Sequence, residues 1–396
     1  MRVLLCPDSF KGSVSSVEVT CAIAQGLREA GIEGIVGKPL ADGGEGTLEV
    51  FHHNRGGEYL SFSVMGPWGE EVEARLLLWE DTALVEMAQA AGLLLVPPEK
   101  RNPRFTTTYG VGELLAKALT LGVRRVILTV GGSVTTDGGM GALQALGVRF
   151  LDEEGQELFG IGDNLLRIAS LDYAQMILKP REVEFLIACD VENPLYGEEG
   201  AAWVYAPQKG ASREEVRYLD EGLRHYATMI RRYTGVVVDD LPGGGAGGGV
   251  AAGLYAFWGG RIISGGALFL EEFGIEEEVA QAHWVITGEG RVDAQTRWGK
   301  LVWQVQALCA RYGKPLVVIG GQVDEEAYSL FPENVALFAL TSYPAQSEGN
   351  FAETQTVLRH FARSLGRIFR GGERIYVGAH SVSLPPAGDR SGSRTV

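Results

Sequence analysis

The sequence predicts an α/β fold made of two unlike units, one inserted into the other. Three observations carry that expectation. Short apolar strands alternate with helical stretches at both ends of the chain, the pattern of a parallel sheet with helices on both faces. Between them, residues 58–97 hold closely spaced strand-like runs suited to antiparallel pairing. Glycine, at 55 of 396 residues, gathers in bursts where strands end, as expected of backbone that must approach a ligand closely.

Taken in order, residues 2–6 form a short apolar strand, and the polar loop PDSFKGSVSS leads into an amphipathic helix over 17–30 with Ser15 or Ser16 as N-cap. Residues 35–40 give the next strand, followed by ADGGEGT and a second helix. The pattern returns at the other end: a strand over 284–287 runs into TGEGRVDAQT, with a helix over 300–312, the strands PLVVIGG and VALFAL, and a last helix over 352–369. In the middle, EYLSFSVMG, EEVEARLLLW and TALVEMA read as short strands. A helix near 112–119, the buried strand VRRVILTV and a glycine-punctuated stretch to about 273 follow them. The chain thus divides into a discontinuous unit (1–65 with 280–378), an inserted unit (66–279) and a tail (379–396) without apolar periodicity, expected to be disordered.

A formal charge of −15 argues against nucleic acid or an anionic membrane surface as the main partner. It leaves room for a small anion, which backbone amides and one or two cations bind locally. The four cysteines lie far apart with no C-x-x-C pair, so neither a zinc site nor a disulfide framework is expected, and a reducing cytoplasm is the natural compartment. The apolar start breaks at Pro7 and Asp8 and reads as a strand, not a leader. No stretch approaches the ~20 apolar residues that span a bilayer.

Five segments place glycine beside acids, hydroxyls or a lysine at strand ends, where ligands bind in α/β sheets. After the first strand come Asp8, Ser9 and Lys11: the lysine suits a carboxylate or phosphate, and Asp8 suits a hydroxyl or magnesium, unless these are solvated charges in a helix-entry loop. In ADGGEGT, Asp42 and Glu45 flank amides at a helix start. Two carboxylates there need Mg²⁺ between them and a phosphate, or else one of them caps the helix. GGSVTTDGG at 131–139 carries Gly132, Ser133, Thr135, Thr136 and Asp137, with the hydroxyls of TTTYG, Thr106 first, upstream. Asp190 ends the apolar strand VEFLIAC and is paired here with the run PGGGAGGG containing Gly244, Gly245, Gly247 and Gly248. That run fits G-x-G-x-x-G trivially and supports close backbone approach more than a dinucleotide fingerprint. The last segment offers Glu289, Arg291 and Asp293, with a structural Arg291–Asp293 pair as the alternative. There is no G-x-x-x-x-G-K-[ST], no protein-kinase signature and no G-x-S-x-G elbow.

Seven stretches in order, PDSFKGSVSS, PLADGGEGT, TTYGVGELL, GGSVTTDGGMGALQALG, CDVENPLYGEEGAAWVYAPQKGAS, PGGGAGGGVAAGL and VITGEGRVDAQT, make the chain similar to the type I glycerate kinase family over residues 1 to roughly 370. The resemblance implies ATP, Mg²⁺ and D-glycerate, with 2-phosphoglycerate or 3-phosphoglycerate as product. It also implies two α/β domains, the split one flavodoxin-like, with the site between them. On that footing Asp42 or Asp190 is expected to orient the attacking hydroxyl or accept its proton, while Lys11 and Arg291 meet the carboxylate or the transferring phosphoryl group. Asp8, Ser9, Thr106 and Ser133 are expected at the substrate. Glu45, Asp137, Glu289 and Asp293 are expected at Mg²⁺, and Gly132, Thr135, Thr136, Gly244, Gly245, Gly247 and Gly248 at ATP. A homodimer is compatible with the sequence. A non-catalytic organic-acid carrier would explain the glycine loops but not so many strand-end carboxylates. A nicotinamide-dependent dehydrogenase would need an acid about 20 residues after the glycine run, and none stands at 260–265.

Overall fold

The computed structural model describes residues 1–10, 13–297, 301–340 and 351–378. Lys11 and the 379–396 tail fall outside them.

Two large sheets and one small one organise the described residues. The first contains β1 (Arg2–Leu5), β2 (Gly34–Gly37), β11 (Trp284–Val292), β12 (Leu316–Val323) and β13 (Val335–Ala339), in the order β13-β12-β11-β1-β2. All its pairs are parallel, with Leu4 in register with Val36 on one side and Val285 on the other. The second contains β3 (Glu58–Met65), β4 (Glu71–Trp79), β5 (Thr82–Glu86), β6 (Arg125–Thr129), β9 (Glu184–Ala188) and β10 (Arg261–Ile263), ordered β10-β9-β6-β5-β4-β3. Its β5, β6, β9 and β10 run parallel, while β3 and β4 add antiparallel strands at one edge. The short pair β7 (Arg149–Leu151) and β8 (Ser170–Asp172) stands apart from both.

The mixed α/β architecture and the antiparallel middle agree with the sequence pattern. One detail differs. Glu58–Met65, grouped by sequence with the first unit, pairs along its whole length with β4 of the six-stranded sheet. Its alternation of half-exposed and exposed residues is that of a sheet edge, and the sequence does not reveal which sheet owns that edge.

Apolar side chains stack the molecule in five layers. Helices Ser16–Glu29 and Phe351–Gly378 cover one face of the five-stranded sheet through Val3, Leu5, Ile286, Val317 and Ile319. The first of these helices starts at the predicted Ser15, whose hydroxyl accepts from Glu18 N while the Glu18 carboxylate accepts from Ser15 N, a reciprocal cap that satisfies two otherwise orphaned donors. Helices Thr47–Arg55, Gly265–Glu272, Ile275–Gln281 and Leu301–Arg311 form the middle layer. They share one apolar cluster with Leu4, Val285 and Val318 of the first sheet and with Leu77, Leu84, Ile127 and Leu186 of the second. The outer face of the second sheet is covered by helices Tyr109–Thr120, Met140–Ala145, Arg213–Thr234 and Val250–Trp258.

Candidate active site

Because β5, β6, β9 and β10 are parallel and in register, Glu86, Thr129, Ala188 and Ile263 lie side by side at one edge of the second sheet. The loop after β2 of the other sheet lies against that edge. Gly131 N donates to Gly43 O at 3.1 Å, and a Cβ on Gly43 would sit 3.5 Å from Ala188 O and 3.8 Å from Thr129 Cβ. Both sheets therefore contribute strand-end loops to one place.

Asp190 follows β9 directly. Its Oδ1 accepts from Ser264 Oγ at 2.8 Å, and its Oδ2 accepts from Gly266 N at 2.9 Å, so the first turn of helix Gly265–Glu272 fixes its orientation. Burial pushes the Asp190 carboxyl up. Its hydrogen bonds to Ser264 and Gly266 oppose that rise, and the nearby charge of Asp42 adds to it. Asp42 accepts from Gly44 N at 3.0 Å. The two carboxylates expected to handle the hydroxyl proton are thus close enough to feel each other.

Glu86 was not singled out by sequence reasoning. From the end of β5 it accepts from Gly46 N at 3.3 Å and Leu48 N at 3.0 Å, holding the glycine loop and the start of helix Thr47–Arg55. Burial pushes its carboxyl up to about 7, against the hydrogen bonds from Leu48, Gln89 and Gly46 and with help from the charge of Glu45. Gly46 has φ 84° and no heavy atom within 4 Å of a would-be Cβ. The available signal was a lone acid in the otherwise apolar stretch TALVEMAQAA.

Lys209 was also missed. It ends the turn Pro207–Lys209 and is 3% exposed. Its Nζ donates to Ser133 Oγ at 2.9 Å and Thr135 O at 2.6 Å. Burial pulls the ammonium down to about 7, and the charge of Asp137 opposes this. Within the same loop Thr106 Oγ1 donates to Val134 O and Thr136 Oγ1 to Thr135 O, so those two hydroxyls serve the loop itself. Thr129 Oγ1 and Thr135 Oγ1 are buried without a hydrogen-bond partner, the condition a ligand relieves.

Several of the expected site residues already have partners within the protein. Asp137, expected at Mg²⁺, is fully buried and accepts from Thr108 N, Thr108 Oγ1, Gly139 N and Gly141 N between 2.7 and 3.2 Å. Its lone pairs are spent on bracing two helix starts. The glycine run expected at ATP packs closely against protein. A Cβ on Gly248 would strike Thr135 O, one on Gly245 would strike Pro194 O, Gly244 faces Leu241 O, and Gly247 faces Met87 and Val130. These glycines are small so that two loops can touch. Nη2 of Arg291 donates to both carboxylate oxygens of Asp324 at 2.9 and 3.2 Å, with Asp293 farther off at 3.9 Å from Nε.

The remaining site residues sit where the first sheet ends. Asp8 is buried and accepts from Ser9 N at 2.6 Å, and its own N–H bonds Gly288 O of β11 at 2.8 Å. Glu289 is buried and accepts from Thr296 Oγ1 at 2.8 Å, while Asp293 N donates to the same hydroxyl at 3.1 Å. Gly132 touches the Glu45 backbone and the Ala88 side chain at 3.5–3.7 Å from its would-be Cβ. Among the described residues no three His, Cys, Asp or Glu side chains form a ready-made metal cage. Also among the described residues, no helix is long and apolar enough to cross a membrane.

Comparison with known proteins agrees with this layout. The model of the Glycerate kinase family matches residues 3–370. Glycerate kinase of Halalkalibacterium halodurans is 42% identical over 370 residues, covering 92% of this chain and 97% of that protein. Glycerate 2-kinase of Escherichia coli is 41% identical over 329 residues, covering 82% and 86% respectively. A crystal structure described as glycerate kinase 2 from Salmonella typhimurium LT2 superimposes with a TM-score of 0.82 at 39% identity, covering 94% of this chain and 99% of that one. With the family model spanning residues 3–370 and relatives above 40% identity over most of its length, the chain belongs to the glycerate kinase family.

Proposed function

We propose that this chain transfers the γ-phosphoryl group of ATP to the 2-hydroxyl of D-glycerate, giving 2-phosphoglycerate and ADP, in the cytoplasm and with Mg²⁺. The observation that carries the reading is the approach of Asp42 and Asp190 at the shared strand ends, one from each sheet. A half-buried carboxylate with a raised pKa, oriented by Ser264 and Gly266, suits the task of taking the proton from an attacking hydroxyl. Asp190 accepts that proton as the oxygen–phosphorus bond forms and the bond to the ADP oxygen breaks. Asp42 keeps the hydroxyl aligned through its own fixed loop. The carbon-2 assignment draws on the printed name of the Escherichia coli relative.

Mg²⁺, bound with the nucleotide, supplies charge neutralisation of the transferring phosphoryl group. Glu45 and Glu289, on loops of the first sheet, are the proposed carboxylates for it. Lys11 is proposed for an anionic oxygen on the strength of its place after β1. The two sheets with their helices are proposed as two domains, divided near 57 and 264–283, with loops from both excluding water when ligands bind.

Phosphorus NMR of the product formed from ATP and D-glycerate tests this reading. A signal for 2-phosphoglycerate is expected. The 3-phosphoglycerate signal would overturn the regiochemistry, and ATP consumption independent of glycerate would overturn the activity.

A further inference from the structure

Burying an ammonium costs several kcal/mol unless its surroundings repay it. Lys209 is buried against a hydroxyl and a carbonyl, and the only charge noted near it is that of Asp137. Asp137 in turn is saturated by four backbone and hydroxyl donors. Among the described residues, no direct ion pair repays the lysine. Of its three N–H donors, two reach Ser133 Oγ and Thr135 O, and the third has no partner among the described residues. An unrepaid buried charge beside a ligand loop marks function more often than packing.

The hydrogen-bond directions say what such a charge does. Ser133 Oγ accepts from Nζ, so its own proton remains available for donation. The neighbouring Thr135 Oγ1 is buried and unpaired. The loop that carries both is held on its other side by Val134 N to Ala91 O and Leu93 N to Gly132 O. It cannot relax toward the lysine without breaking those bonds.

We infer that Lys209 is a positioning residue of the site: it holds Ser133 so that the hydroxyl donates to a carboxylate or phosphate oxygen of the bound ligand, and it lends that ligand its buried positive charge. The inference rests on the reading of the chain as an ATP-dependent glycerate kinase, and it adds a residue that acts through Ser133 rather than touching the reacting atoms.

Initial rates of the full chain, with ATP and D-glycerate varied in turn, test it. Activity of the unaltered protein in that assay bears on the function itself and is read first. With activity established, K209M is expected to raise KM for one of the two substrates about 10- to 100-fold, the range for a hydrogen bond involving a charged group. Which KM rises tells whether the anion is glycerate's carboxylate or an ATP phosphate. S133A is expected to raise the same KM, and the double variant to lose little more than K209M alone, because the lysine acts through the serine. A KM within threefold of the unaltered protein for both substrates in folded K209M overturns the inference. So do losses that multiply in the double variant, or a lowered Tm with normal kinetics. Should K209M not fold, S133A decides by itself: unchanged KM values for both substrates overturn the proposal, and a rise in one of them supports it.

Discussion

Glu86, at the end of β5, accepts the backbone N–H groups of Gly46 and Leu48: an acid of the six-stranded sheet clasps the glycine loop that leaves the five-stranded one. The clasp is ionisable, and its carboxyl is pushed up to about 7 from an ordinary 4.5. Between those values the folded protein holds a proton that the unfolded chain has released. Stability contributed through this group therefore falls as pH rises from about 4.5 to about 7 and is flat above. The span corresponds to at most about 3.4 kcal/mol. Urea melts across that window are expected to show the slope in the unaltered protein and to lack it in E86Q. Parallel curves for the two would remove Glu86 as the source.

Asp190→Asn keeps the size of the side chain and an acceptor for Ser264 but loses the base. The expected loss in kcat/KM is about 10²- to 10⁴-fold, with Tm shifted by only a few degrees. Steady-state kinetics within threefold of the unaltered protein would assign proton transfer elsewhere.

Gly248→Ala and Gly46→Ala both place a Cβ at positive φ, but only the first drives it into backbone, at Thr135 O. G46A is expected to cost about 1 kcal/mol from backbone strain. G248A is expected to cost 3 kcal/mol or more, roughly the range of core overpacking added to that strain. Chemical denaturation of both variants checks the order, and equal costs would show that the two loops do not touch as described.

Chelation with EDTA is expected to abolish glycerate-dependent ATP turnover and added Mg²⁺ to restore it, with no change in Tm without nucleotide. The last part follows from the lack of a three-carboxylate cage among the described residues. A large fall in Tm on chelation alone would instead point to a structural metal.

The strands, their alternation with helices and the position of Asp8 and Asp190 were legible because each of these two acids follows an apolar run that reads as a buried strand, while Asp42 follows the edge strand β2 by its glycine-rich loop. Glu86 and Lys209 were not. The partners of Glu86, Gly46 and Leu48, are brought to it by packing one sheet against another, and nothing near Lys209 in sequence says that it faces Ser133. The glycine run is ambiguous in sequence for a related reason. A missing Cβ makes room, and sequence does not tell whether a nucleotide or Thr135 O fills it. Asp137 looked like a ligand because acids between glycines often are, whereas the same residue type satisfies helix-start amides equally well. Glu58–Met65, read with the antiparallel runs of the middle, fell on the other side of the boundary at 65 because an edge strand carries no mark of the sheet it joins.

The helices Thr47–Arg55, Gly265–Glu272, Ile275–Gln281 and Leu301–Arg311 are roofed by one sheet and floored by the other, and this limits how the protein can be taken apart. Expressing residues 58–263 alone would strip Leu77, Trp79, Leu84, Ile127 and Leu186 of their cover and leave a greasy sheet face prone to self-association. The middle segment is therefore expected not to be a portable module, because the helices that cover its sheet face come from chain both before and after it.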